Sequence, residues 1–214
     1  MKNVACKKTL KIAVTGNAGS GKSSVCEYLN EKGCELISSD ILAREAVAPE
    51  SESYVKILDH FGKKIVLDNG RLNRKKLRGI IVNDESERLA LERIVQPEIL
   101  KRMRNRMLLA DKEGIPVLVV EVPLLFELRL EGEFDVVVVV SVNRETRIKR
   151  LMTRDMVARA DAEALLNTQM SEKRKIEMAD FVINNNDSKQ RMIKSVDILI
   201  KSFYRKYKKS VESA

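Results

Sequence analysis

Five short apolar runs punctuate the chain: "LKIAVTG" from residue 10, "GCELISSD" from 33, "IPVLVVEVP" from 115, "FDVVVVVSV" from 134 and "ADFVINN" from 179. They are rich in Val and Ile and do not alternate with polar residues. That pattern predicts parallel strands covered on both faces. Between them, apolar residues recur at helical spacing over 23–32, 87–113, 144–154, 161–178 and 188–208. Strands and helices in alternation predict a doubly wound, three-layer α/β/α fold with right-handed crossovers. No internal repeat or low-complexity tract interrupts the pattern.

Two stretches depart from this alternation. Residues 62–109 read as mostly helical without a good core strand, with Asn69-Gly70 as a turn. This predicts a helical insertion beside the sheet. Residues 144–175 form a second basic helical stretch, with five arginines between 144 and 159. Most such charges are a solvated helix face. Their density also suits an arginine-rich lid over phosphates.

Composition narrows the class. A chain of 214 residues suits one α/β domain over 10–214 with its insertion and lid. Hydrophobic residues make up 44% and charged residues 33%, an ordinary globular balance. The net charge of +9 points to an anionic partner: nucleic acid, a membrane surface or a polyphosphate. Cys6, Cys26 and Cys34 lack metal-ligand or redox spacing and read as buried, inert thiols of a reducing compartment. The longest apolar run is far too short to span a bilayer. Residues 1–9 read as a short tail without the apolar stretch of a signal peptide, so the cytoplasm is expected.

The sharpest chemistry lies in "TGNAGSGKSS", residues 15–24. Gly16-x-x-x-x-Gly21-Lys22-Ser23 has the spacing of a phosphate-cradling loop, with an apolar run before it and a helical pattern after it. Glycines at 16, 19 and 21 let backbone N–H groups wrap an anion, and the helix N-terminus adds its dipole. Lys22 reaches the β and γ phosphates, and the Ser23 hydroxyl can ligate Mg²⁺. Glu121, closing "VLVVE", is the candidate second acid for that ion or, alternatively, an ordinary ion-pairing glutamate. Asp40 follows the second apolar run, where doubly wound sheets place their ligand crevice. It reads either as the base that takes a proton from an attacking hydroxyl or as the N-cap of "ILAREAV". The guanine-reading Asn-Lys-x-Asp pattern is absent.

The loop, "ISSDILAR", "NGRLNRKKL", "VPLLFE", "MTRD" and "LLNTQMSEKRKIEMADFVINN" occur in an order and spacing that resembles the dephospho-coenzyme A kinase family, from about residue 10 to 204. The resemblance implies a P-loop NTPase fold and transfer of a phosphoryl group from ATP, with Mg²⁺, to the ribose 3′-hydroxyl of dephospho-coenzyme A. It implies that Gly19, Ser20, Gly21, Lys22, Ser23 and Ser24 hold the ATP phosphates, with Asn185 near the adenine. Asp40 would be the base and Arg44 would help fix the acceptor. Arg150 and Arg154 would be lid arginines neutralising the transferring group. The helical insertion, with Arg74 and Leu77, would bind the acceptor. A monomer is expected, with an oligomer left open, and neither nucleic acid nor membrane is an expected partner.

Three departures stand out. Ser38-Ser39-Asp40 replaces the family's frequent Asp-Ala-Asp, which removes one acid. Gln96-Pro97 replaces a frequent His-Pro, and glutamine cannot carry a proton at neutral pH. Asn17-Ala18 occupies the loop where Gly-Ile is common. Two rival readings remain. A nucleoside monophosphate or sugar kinase would share the loop and lid but not "SDILAR" with "VPLLFE". A nucleic-acid-binding regulator would use the +9 charge, but aromatics are only 4% of the chain, few for base stacking.

Overall fold

The computed structural model describes residues 9–186 and 189–212; the tail up to residue 8, with Cys6, and Ser188 lie outside the described residues. Five strands form one parallel sheet: β1 (Leu10–Thr15), β2 (Glu35–Ile37), β3 (Val117–Glu121), β4 (Val136–Ser141) and β5 (Phe181–Asn184). Their spatial order is β2-β3-β1-β4-β5. β1 is central, with Leu10 opposite Val117 of β3 and Ile12 opposite Val136 of β4. The chain winds from β1 out to β2 on one side, returns through β3, and then crosses to β4 and β5 on the other. That reversal creates a switch point at the carboxyl end of β1.

Continuous apolar runs are explained by two-sided burial. On one face Ile12, Val14, Val119, Val138 and Val140 meet two helices, α1 (Lys22–Glu31) and α9 (Lys189–Glu212). α1 contributes Val25, Cys26 and Leu29, and α9 contributes Met192, Val196, Leu199 and Phe203. The α9 residues recur at steps of four, three and four, the stripe that keeps one helix face on the sheet. The opposite face, with Ala13, Leu118, Val120, Val137 and Val139, is equally buried. The fold is therefore the expected P-loop NTPase arrangement of a parallel sheet flanked by helices.

The chain divides into two compact units, one of residues 1–38 and 109–214, the other of residues 39–108. The sheet unit also carries α6 (Arg144–Asp155), α7 (Arg159–Asn167) and α8 (Glu172–Glu177). Ile148 and Leu151 of α6 pack on Ala162 and Leu166 of α7. The single helical pattern over 161–178 is thus two helices, broken at residues 168–171, where Ser171 caps α8 through the Arg174 N–H. Thr9 belongs to the sheet unit as well: it is buried, and its N–H donates to Asp111 at 3.2 Å.

The second unit holds α2 (Ser39–Ala46), α3 (Glu52–Phe61), α4 (Arg74–Asn83) and most of α5 (Glu85–Glu113). Its core is Tyr54, Ile57, Phe61, Ile65, Leu72 and Leu77. Ser51 and Asn73 cap α3 and α4 through side-chain oxygens, each satisfying an amide that the helix cannot.

Phe203, the last of the four α9 stripe residues, is 1% exposed. Replacing it with Ala should lower unfolding free energy by about 3–5 kcal/mol, measured by urea denaturation. A loss under about 1 kcal/mol would mean that α9 does not seal this face.

Candidate active site

The carboxyl ends of β1, β3, β4 and β5 converge on one place in the sheet unit. β1 runs into the loop of residues 16–21, and β3 ends at Glu121. Asn185 follows β5 directly and donates its N–H to Ser141 at the end of β4, at 2.7 Å. Glycine is a steric requirement in the loop at two points. Gly16 has φ +145°, and a Cβ there would collide with the Val140 carbonyl oxygen. Gly21 has φ +90°, and a Cβ there would strike the Asn185 side-chain amide.

Gly21 is also the N-cap of α1, and no side chain among the described residues caps that N-terminus. The first amides of α1 are therefore left to an anion, with the helix dipole behind them. Ser24 lies exposed in this first turn. Lys22 is buried, and its Nζ donates to the carbonyls of Gly16 at 3.0 Å and Asn17 at 3.3 Å. Burial pulls its ammonium from the usual 10.5 to about 8; Glu121 opposes that fall, and Lys175 and Arg154 add repulsion. The Ser23 hydroxyl donates to Glu121 Oε1 at 3.0 Å. The two residues singled out as metal ligands are thus in contact.

The arginines divide by role. Arg150 lies against the loop, donating to the Gly19 and Ser20 carbonyls at 3.2 and 3.3 Å and to the Asn185 carbonyl at 3.3 Å. Asn185 is buried and donates its side-chain N–H to the Ser20 carbonyl at 2.8 Å, so it backs the loop directly. Arg154 is largely exposed and pairs with Asp155 at 2.9 Å. The remaining three are engaged within the segment. Arg144 donates to Asn167, Arg147 pairs with Glu172, and Arg159 pairs with Glu145 and Glu163.

The loop tip is held from a side that sequence reasoning missed. Asn17 Nδ2 donates to the Met170 carbonyl at 3.1 Å, and the Ala18 N–H donates to Gln169 Oε1 at 2.9 Å. Lys175 is fully buried and pairs with Glu127 at 2.8 Å. Glu127 and Lys175 sit inside the quoted "VPLLFE" and "SEKRK" stretches, but nothing in a linear pattern pairs residues 48 positions apart.

The other candidates lie in the helical unit. α2 begins at Ser39, so Asp40 is inside its first turn. Its carboxylate is exposed and accepts no hydrogen bond among the described residues. The N-cap reading of Asp40 is therefore corrected, because a cap must sit ahead of the helix and accept an amide N–H. Arg44 is exposed near the end of the same helix. Arg74 and Leu77 line a cavity of about 510 Å³, walled by Leu72, Val95 and Ile99 with Arg78 at its side. Gln96 lines the same cavity.

A parallel sheet with a switch point at β1, a glycine loop at that point and an uncapped helix behind it define a P-loop nucleotide-binding protein of the kinase type. Residues 10–191 match the family model described as dephospho-CoA kinase. The chain belongs to that family. It is 38% identical over 192 residues to the dephospho-CoA kinase of Listeria innocua, covering 90% of this chain and 96% of that one. Among solved structures, a Thermus thermophilus protein superposes with a TM-score of 0.74 at 28% identity, covering 92% of this chain and 98% of the other. The dephospho-CoA kinase from Campylobacter jejuni gives 0.65, also at 28% identity, covering 93% and 98%.

The depressed Lys22 ammonium makes a testable demand. As pH rises through about 8, the free protein loses this charge and with it part of its attraction for phosphate. In the complex, the bound anion raises the pKa again. The kcat/KM for ATP should therefore fall above about pH 8, while kcat at saturating ATP holds to higher pH. A kcat/KM profile flat to about pH 9.5 would remove Lys22 from nucleotide capture.

Proposed function

We propose that this protein transfers the γ-phosphoryl group of ATP to the ribose 3′-hydroxyl of dephospho-coenzyme A, the last step of coenzyme A synthesis. The observation that carries this reading is family membership over residues 10–191, in a chain whose phosphate loop, Lys22 and Ser23–Glu121 pair meet at one end of the sheet.

In this reading the loop amides and Lys22 hold the ATP phosphates. The Ser23 hydroxyl and the Glu121 carboxylate are hard oxygen donors, 3.0 Å apart, which is the chemistry Mg²⁺ requires. Those two residues would hold the ion, which when bound supplies charge neutralisation and alignment of the phosphates. Arg150, already against the loop carbonyls, stabilises the charge of the transferring group, with Arg154 assisting on the nucleotide. Asn185 supports the loop and the nucleotide end of the site. Asp40, whose carboxylate has no other engagement among the described residues, takes the proton of the attacking hydroxyl.

Acceptor recognition falls to the helical unit. Arg44 and Arg74 suit the acceptor's diphosphate, and the apolar wall with Leu77 suits its pantetheine arm. The proposed setting is the cytoplasm, as a monomer. Cys26 and Cys34 are free and buried, which suits a reducing compartment. No helix among the described residues is long and apolar enough to cross a membrane.

An ADP-release assay tests the acceptor, with dephospho-coenzyme A set against nucleoside monophosphates and sugars. Dephospho-coenzyme A should give the highest kcat/KM. A preferred monophosphate or sugar would overturn the assignment.

Asp40→Asn isolates the base. The variant should keep its Tm and its affinity for ATP, and lose roughly two or more orders of magnitude in kcat. Near-normal kcat would leave the rate to positioning and phosphate electrostatics.

A further inference from the structure

The connection between α7 and α8, residues 168–171, is tied in two directions. On one side, a single carboxylate oxygen, Glu127 Oε1, accepts both the Met170 N–H at 3.1 Å and the Lys175 ammonium at 2.8 Å. On the other, Gln169 Oε1 accepts the Ala18 N–H at 2.9 Å, and the Met170 carbonyl accepts Asn17 Nδ2 at 3.1 Å. A continuous hydrogen-bonded path therefore runs from Glu127 to residues 17 and 18 of the phosphate loop.

Stability alone does not account for this pair. Lys175 is 0% exposed, and removing an ammonium from water costs more than an imperfect ion pair returns. The pair is imperfect, because Glu127 Oε2 is buried with no hydrogen-bond partner among the described residues. An unsatisfied buried carboxylate oxygen lowers stability. What the arrangement does supply is a fixed position for the Met170 peptide and, through it, for Asn17 and Ala18. The loop's other shoulder is fixed separately, by Arg150 and Asn185 on the Gly19 and Ser20 carbonyls. The Ala18 side chain also packs against the Ile148–Leu166 cluster of α6 and α7. Without the strut, the 17–18 shoulder would lose two of its polar tethers, and loop amides displaced by an ångström lose much of their grip on phosphate.

We propose that Glu127 and Lys175 are positioning residues for nucleotide binding, acting through Gln169 and Met170 to hold the Asn17–Ala18 shoulder of the phosphate loop. The inference rests on the reading of that loop as the ATP site. It does not depend on the identity of the acceptor.

The test is a double-mutant cycle read by ATP affinity, measured by calorimetry on the full chain, with Tm recorded for every variant. Glu127→Gln removes the charge that holds Lys175. Gln169→Leu removes the acceptor of the Ala18 N–H while leaving the Glu127–Lys175 pair in place. Each should raise the Kd for ATP by about tenfold, and the double variant should raise it little more than the larger single, since residues in one path are coupled. Additive effects on Kd, or a folded Gln169→Leu with wild-type Kd, would overturn the proposal. Should Glu127→Gln fail to fold, Glu127→Asp, which keeps the charge but shortens its reach to the Met170 N–H, takes its place in the cycle. Wild-type protein that binds ATP but does not phosphorylate dephospho-coenzyme A would sink the acceptor assignment and leave the strut to stand or fall on the cycle. Wild-type protein that binds no ATP would overturn both.

Discussion

A backbone constraint at the end of β1 governs the sheet unit. Between Thr15 and Lys22 the chain must pass under the Val140 carbonyl and beside the Asn185 side chain, in conformations with φ of +145° at Gly16 and +90° at Gly21. Only residues without a Cβ fit there. The result is a helix whose first amides carry no side-chain cap and whose dipole points at the same space. Central placement of β1 brings the ends of the strands on either side to that space, so Glu121 from the adjacent β3 and Asn185 after β5, one strand beyond β4, arrive without any local sequence relation to the loop.

Charge is the second organising feature. Lys22, Arg147, Arg150, Arg154 and Lys175 all belong to the sheet unit around the loop, and most are engaged by specific acceptors. Arg147 has Glu172, Lys175 has Glu127, and Arg150 has three backbone carbonyls. Lys22 differs. It is held by carbonyl dipoles, and desolvation depresses its pKa. A buried ammonium that burial destabilises, with Glu121 only partly offsetting the loss, gains from an arriving anion.

The helical unit follows a different logic. Its small core and capped helices support a cavity with an apolar wall and guanidinium groups beside it. Such a lining suits a ligand that is part chain and part phosphate. Gln96 stands on that cavity. It can donate and accept hydrogen bonds there but cannot shuttle protons.

The strands, most helices and the loop could be read in the chain because each is a local pattern. Unalternating Val and Ile runs mark buried parallel strands, and glycine spacing marks a backbone that other residues cannot adopt. Even α3 was legible in principle, with Tyr54, Ile57 and Phe61 on one helical face behind the Ser51 cap. The sequence determined which groups are available: Lys22, Ser23, Glu121, Arg150 and Asp40. Tertiary structure alone decided which of them meet. Ser23 reaches Glu121 across 98 positions, and Arg150 turns to the loop while Arg144, Arg147 and Arg159 turn to partners in their own segment. The Glu127–Lys175 strut and the displacement of Asp40 from cap to first turn were likewise invisible in one dimension. The physical reason is range: propensity and spacing act over a few residues, whereas ion pairs and hydrogen bonds at the sheet's end depend on strand order and burial.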